Sequence, residues 1–220
     1  MYAFFDRGSS RRLAVLFSSL FLLMFAAPAL SSTNGGSDFP VGCGPTRAAD
    51  LKTAFTQASA ISGTSVTLTA GCTYTMTWDG TSQASVDGSP TIFGTLSNVV
   101  TINGNGATVE RADDMQYARF FYIAPGGRLN LNDLTLRRGT SRGDDGQDAS
   151  PTGDSNAQGG LYSGLGGAIY NDGQLIADAV TFEGNSAIGG NGGCSQNGGT
   201  GGAGGAGLGG AIFSTGLALD

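Results

Sequence analysis

The 220 residues contain no histidine and a single lysine, Lys52. The first absence excludes Ser-His-Asp and Cys-His catalysis and every histidine-ligated metal site. The second comes with 17 acidic against 11 basic residues and a formal net charge of −6. That balance argues against a nucleic-acid partner, because binding a polyphosphate needs a basic face. Charged residues of either sign are scarce, 13% against roughly 25% in ordinary globular chains. Cysteine is confined to Cys43, Cys72 and Cys194 with no CxxC pair, so zinc ribbons and thioredoxin-like sites have no support. Apolar residues still make up 40%, enough for a core, which excludes a wholly disordered chain.

The longest apolar run lies near the start. Arg7, Arg11 and Arg12 precede LAVLFSSLFLLMFAA (13–27), and Pro28-Ala29-Leu30-Ser31 follows. A basic start, an apolar stretch and a small-residue exit describe a secretory signal peptide over 1–31, cleaved at the Ser31–Ser32 bond or after Ala29. An uncleaved anchor is the alternative, but the run falls short of the ~20 residues that span a bilayer. No later segment is apolar enough to span. The remaining chain would carry 8 basic and 16 acidic residues, net −8. Export permits disulfides. Cys43 and Cys72 both flank structured segments and are the expected pair, with Cys194 left over. Closing that loop contributes about 3–4 kcal/mol in the chain-entropy account.

Residues 32–42 read as a polar linker. In TRAADLKTAFTQASA (46–60), Leu51, Ala54, Phe55 and Ala58 share one helical face, with Thr46 as the N-cap and Gly63 as the stop. From Ser65 the period changes to two: SVTLTA (65–70), TYTMT (73–77), VVTIN (99–103), RFFYI (119–123) and RLNLNDLTL (128–136) alternate between Gly, Asn and Asp punctuation. That is strand and turn chemistry.

The strands repeat. GGRLNLNDLTLRRG (126–139) aligns without gaps on DGQLIADAVTFEGN (172–185), placing Leu129 on Leu175, Asn132 on Asp178 and Leu136 on Phe182. GGAIYNDG (166–173) aligns on GGAIFSTG (209–216), and Leu217-Ala218-Leu219 resembles the segment starting at Leu129. The offsets are 46 and 43. Setting aside the polar segment 139–165 and the glycine-rich segment 188–208 as inserted loops leaves 19 and 22 residues. The pairs Ile102/Ile123 and Val109/Leu131 give 21 and 22. A unit near twenty residues with two or three short strands is the signature of a β-solenoid. The predicted fold is therefore all-β, with four or five parallel coils over 65–220. A cap over 43–64 contributes a helix that covers the first open edge.

The segments ADLKTAFTQASA and VTLTAGCTYTMT (49–77), VVTINGNGATVER (99–111) and FFYIAPGGRLNLNDLTLRRG (120–139) resemble the N-terminal cap and coils of secreted bacterial right-handed parallel β-helix, or pectin-lyase-like, proteins. The two GGAI segments, with Phe182-Glu183-Gly184-Asn185, resemble the GGA[ILV] and FxxN repeats of polymorphic outer-membrane proteins. The resemblance covers about 43–220. It implies an exported, surface-displayed or shed protein, often an adhesin. Its partner would be a host or neighbouring cell surface or an extracellular glycan. It further implies a chain that is a C-terminally truncated part of a longer one carrying more repeats and an anchor.

Candidate chemistry is sparse, and no catalytic residue or cofactor is expected. Asp113-Asp114 and Asp144-Asp145 are paired carboxylates in polar loops. Asp144, Asp145, Asp148 and Asp154 would make a loose calcium loop without EF-hand spacing. A pectin-lyase-like enzyme would draw its base from Arg137, Arg138 or Arg142, whereas the hydrolase branch of that fold uses a histidine. In the aligned repeat Glu183 and Gly184 replace Arg137 and Arg138, which makes the arginines an outward face and a turn. Two GxGxxG matches, Gly199/Gly201/Gly204 and Gly202/Gly204/Gly207, precede a strand rather than follow one, so they are no dinucleotide site. The tract around them is expected to be a flexible loop. Trp78, Tyr117, Phe120, Phe121 and Tyr122 are expected mostly in the core rather than in a sugar-stacking platform. The favoured function is a non-catalytic adhesin-like surface or secreted protein, ahead of a polysaccharide lyase and a structural spacer.

Overall fold

The computed structural model describes residues 36–77, 87–113, 117–150, 156–160 and 163–219. The signal-peptide segment, Trp78, Asp114 and Asp154 lie outside the described residues. The fold is all-β with parallel sheets and one short helix, and every strand pair among the described residues is parallel.

The largest sheet runs β1 (Asp38–Val41), β2 (Thr64–Leu68), β5 (Val99–Arg111), β7 (Arg128–Arg137), β11 (Gln174–Glu183), β15 (Leu217–Leu219), with β3 (Thr73–Met76) also on β5. A second sheet stacks β4 (Thr95–Leu96), β6 (Phe121–Ile123), β10 (Ile169–Asn171) and β14 (Ile212–Ser214). Two smaller sheets pair β8 (Thr140–Arg142) with β12 (Ser186–Ile188), and β9 (Gly164–Leu165) with β13 (Gly207–Leu208). Within each sheet the strands pair in parallel with strands distant in sequence. The expected alignment is the observed register: Leu129 faces Leu175, Leu131 faces Ala177, and Leu136 faces Phe182.

Alternation follows from the pleat, which sends successive side chains to opposite faces. Val66, Ile102 and Leu131 form one inner column, and Tyr74, Val109 and Leu136 form another; all are buried. The long strands bend at Asn105, Asp133 and Ala179, which carry φ of 51°, 48° and 52°. Left-handed backbone is tolerated by Asn and Asp but strained for Ala.

The helix α1 (Arg47–Ala60) buries Leu51, Ala54, Phe55 and Ala58, as its spacing predicts. Phe55 meets Phe93 and Phe121 at centroid distances of 5.0 and 5.4 Å, joining the helix to the single core. Thr46 is the N-cap residue, yet its hydroxyl donates to Asp50 instead of accepting a backbone N–H. The helix ends at Ala60, where Ile61 turns extended, and Gly63 follows with φ of 82°. The Thr64 hydroxyl donates to the Ala58 carbonyl at 2.7 Å, satisfying one of the last helical acceptors. The Cys43–Cys72 disulfide forms as expected and ties the turn before α1 to the start of β3.

Four expectations are corrected. The linker 32–42 contains β1, which lies outside β2 and extends the stack to Asp38. Pro40 suits that edge because no ladder partner needs its missing N–H. The twenty-residue unit is too short: Ile102 faces Leu131 and Val109 faces Leu136, at spacings of 29 and 27. Ile102 and Ile123 belong to different sheets, so their likeness marks no repeat of one strand. Leu217 faces Gln174, which faces Arg128, one residue away from the expected match to Leu129. The corner before it is tight, since a Cβ on Gly216 would lie 2.3 Å from the Gly173 carbonyl oxygen. Finally, segments 139–165 and 188–208 are not wholly loops: the first holds β8 and β9, and the second begins at the end of β12 and holds β13.

Candidate functional site

The outer face of the main sheet is built from short polar side chains bonded to one another. The Asp38 carboxylate accepts the hydroxyls of Ser65 and Thr67 at 2.7 and 2.8 Å. Asn132 donates to Asn103, and Asn130 to Thr101, each at 3.0 Å. Thr73, Thr108, Thr135 and Thr181 form a threonine column beside them. Parallel in-register stacking forces like onto like, and hydroxyls and amides suit this because each both donates and accepts.

The next column is charged: Thr75, Glu110, Arg137 and Glu183 stand in register. Glu110, 6% exposed, receives Arg137, Arg138 at 2.8 Å and the Thr75 hydroxyl at 2.8 Å. Burial opposes its charged form, but the bonds from Arg137 and Thr75 and the charges of Arg138 and Arg137 prevail together and hold its carboxyl below the usual range. Arg138, at φ of 64°, also reaches Asp113. Arg111 donates to the Arg138 carbonyl. Arg142 pairs with Asp145 and lies 5.4 Å over the Tyr117 ring. The three candidate lyase bases are therefore each held by a carboxylate, Arg137 on the outer face and Arg138 in a turn.

The calcium candidates are spread along one segment. Asp145 and Asp148 each accept a backbone N–H, of Asn191 and Cys194, both at 2.6 Å. The Asn191 N–H, with Arg142, keeps the Asp145 carboxyl below its ordinary pKa. Asp144 lies beside Gly88. No group of three or more potential ligands gathers among the described residues.

These aspartates belong to a layer that the strand periods did not reveal. Gly143, Gly146 and Ala149 donate to Ile188, Asn191 and Cys194 at 2.9, 2.7 and 3.0 Å, so donor and acceptor both advance by three. Ala157 and Gly160 donate likewise to Thr200 and Ala203. A step of three is that of polyproline-II-type backbone, which has no internal hydrogen bonds and must find them laterally. Segments 188–194 and 200–206 also bond each other, Gly202 to Gly193 and Gly205 to Gly190. The sequence carries the signal as Gly-Gly-X triplets: Asn191, Cys194, Thr200, Ala203 and Ala206 occupy X, and all are exposed. Cβ atoms on Gly190, Gly193 and Gly202 would lie 1.9, 2.1 and 1.8 Å from neighbouring carbonyl oxygens. The tract is thus hydrogen-bonded and closely packed where a flexible loop is expected, and the GxGxxG matches fall within this layer. Cys194 is a free, exposed thiol.

The remaining motifs hold corners. Gly166 and Gly209 of the GGAI segments sit at φ of 59° and 61°, where a Cβ would meet the carbonyls of Ile169 and Ile212. Asn185, the last residue of the FxxN segment, accepts the Gly139 N–H at 2.8 Å and donates to the Leu136 carbonyl at 2.9 Å. Phe120 and Phe121 are core, as expected. Tyr122 instead faces outward, in a stack with Tyr170 and Phe213 at 5.3 and 5.5 Å. Beneath Tyr170, Arg119 is completely buried and paired with Asp87, a pair that no sequence period announces. No protein-family model matches the chain, and no curated protein or solved structure matches it.

Proposed function

We propose that this chain is an exported, non-catalytic β-solenoid, a right-handed parallel β-helix of the pectin-lyase-like kind with polymorphic outer-membrane-protein-type repeats, which displays its side faces for adhesion. The observation that carries the reading is the outer surface itself. Many of its side chains are short, polar and bonded within ladders, and Arg137, Arg138 and Arg142 are paired with neighbouring carboxylates. Catalysis needs groups that converge on a reacting atom with free valence toward it. Adhesion needs a stiff surface with repeated, identical groups. The basic and apolar leader supports export, and the Cys43–Cys72 disulfide suits an oxidising compartment.

Two experiments test this reading. N-terminal sequencing of the exported protein is expected to begin at Ser32 or Leu30; retention of residues 1–31 contradicts export by cleavage. The purified chain, immobilised and probed with whole cells and a panel of extracellular polysaccharides, is expected to retain at least one of them. No retention contradicts adhesion and leaves the role of spacer. A polysaccharide lyase is the second reading, favoured by the gathering of Arg111, Arg137 and Arg138 beside Glu110 and Asp113. Unsaturated products from polygalacturonate with Ca²⁺ would establish it over the first.

A further inference from the structure

Beyond that surface, one buried polar cluster is incomplete. Oγ1 of Thr91, Nε and Nη1 of Arg119 and Oγ of Ser141 have no hydrogen-bond partner, and their residues are 1%, 0% and 0% exposed. The three residues lie on adjacent segments. Thr91 and Arg119 are direct backbone partners, and the Thr140 N–H donates to the Ala118 carbonyl, so Ser141 follows on a segment bonded to the one that carries Arg119. The backbone of Arg119 is already spent, donating to Pro90 and accepting from Ile92. Its Nη2 is spent on Asp87, which also accepts the N–H groups of Ser89 and Leu165 at 3.2 Å. Tyr170 lies over the guanidinium at 5.5 Å.

Buried polar groups in native proteins find partners, and an internal water is the usual one when the protein supplies none. The missing partner must accept from guanidinium N–H groups and exchange hydrogen bonds with hydroxyls. Arg119 and Asp87 already cancel each other's charge. An anion would therefore add net negative charge to a buried site. Water meets both demands without that cost. We propose that this is a closed hydration site: ordered water accepts from Arg119 and bonds the hydroxyls of Thr91 and Ser141. It thereby bridges three neighbouring segments, one of which runs on past Arg142 into the glycine layer.

The test is a crystal structure of the purified protein at a resolution that places waters, with a parallel bromide soak. The expected result is water within hydrogen-bond distance of Arg119 Nε or Nη1 and of the Thr91 or Ser141 hydroxyl, with no anomalous peak there. A bromide peak overturns the proposal in favour of an anion site. A guanidinium whose Nε and Nη1 meet protein groups, or nothing, overturns it as well. In solution, water-to-protein cross-relaxation at the Arg119 Hε is expected in the native chain and reduced in Thr91→Val. An unchanged signal in a folded Thr91→Val variant contradicts the bridge. If that variant does not fold, the crystallographic result on the native chain decides.

Discussion

The parallel sheets and the glycine-rich segments solve the same stacking problem with different groups. On the sheet side, side chains do the work: apolar columns fill the interior, and amide, hydroxyl and charge ladders cover the outside. On the glycine side the side chains are nearly gone and backbone packs on backbone, with Gly190, Gly193 and Gly202 pressed against carbonyl oxygens of neighbouring segments. The first arrangement tolerates exchange among residues of similar size and polarity. The second tolerates almost nothing at its inner positions and almost anything at the exposed X position of each triplet.

The comparison can be broken from either side. Leu131→Ala removes a fully buried side chain from the inner column and is expected to cost about 4 kcal/mol by urea denaturation, as buried leucine truncations do. On the glycine side, Gly202→Ala is expected to cost about 3 kcal/mol, since its Cβ would lie 1.8 Å from the Gln158 carbonyl oxygen. Its neighbour makes the sharper contrast. Gly201 meets nothing nearer than 3.7 Å, so Gly201→Ala is expected to change stability by less than about 0.5 kcal/mol. Equal effects at both positions would mean that the layer is not packed. Asn185→Ala strips the corner of two hydrogen bonds to the preceding lap, for an expected loss of about 2 kcal/mol in the same assay.

Two smaller effects refine the sheet side. Ala179 carries a side chain at φ of 52° in a column with Asp133, so Ala179→Gly is expected to gain about 1 kcal/mol. Glu110 has its pKa depressed in the fold, so its contribution is present in full above the ordinary glutamate value, about 4.3, and fades as pH falls through the lower folded value. Thermal unfolding across that acid range is expected to flatten in Glu110→Gln relative to the native chain.

The same contrast explains what could be read from the residues alone. Strands, helix and disulfide pair were legible because period two, helical spacing and flanking cysteines are local signals. The register of β7 on β11 was legible because both copies keep Leu or Val inward and Thr outward. β1 was missed because Asp38-Phe39-Pro40-Val41 is four residues containing a proline, and only its position on β2 makes it a strand. The upstream laps were mis-spaced because Ile102 and Ile123 look alike while facing the core from different sheets. The triplet step of 189–206 is present in the letters, but glycine richness by itself reads as flexibility, and only the lateral bonds show the packing. The Arg119–Asp87 pair spans 32 positions and depends on three segments meeting, which no local pattern encodes.

The most direct test is amide hydrogen exchange at the glycine layer. The bonded amides of Gly146, Gly160, Gly193, Gly202 and Gly205 are expected to exchange far more slowly than an unstructured chain and to share protection with the β7–β11 ladder. Exchange of those five amides at unstructured rates, while the ladder stays protected, would contradict the account.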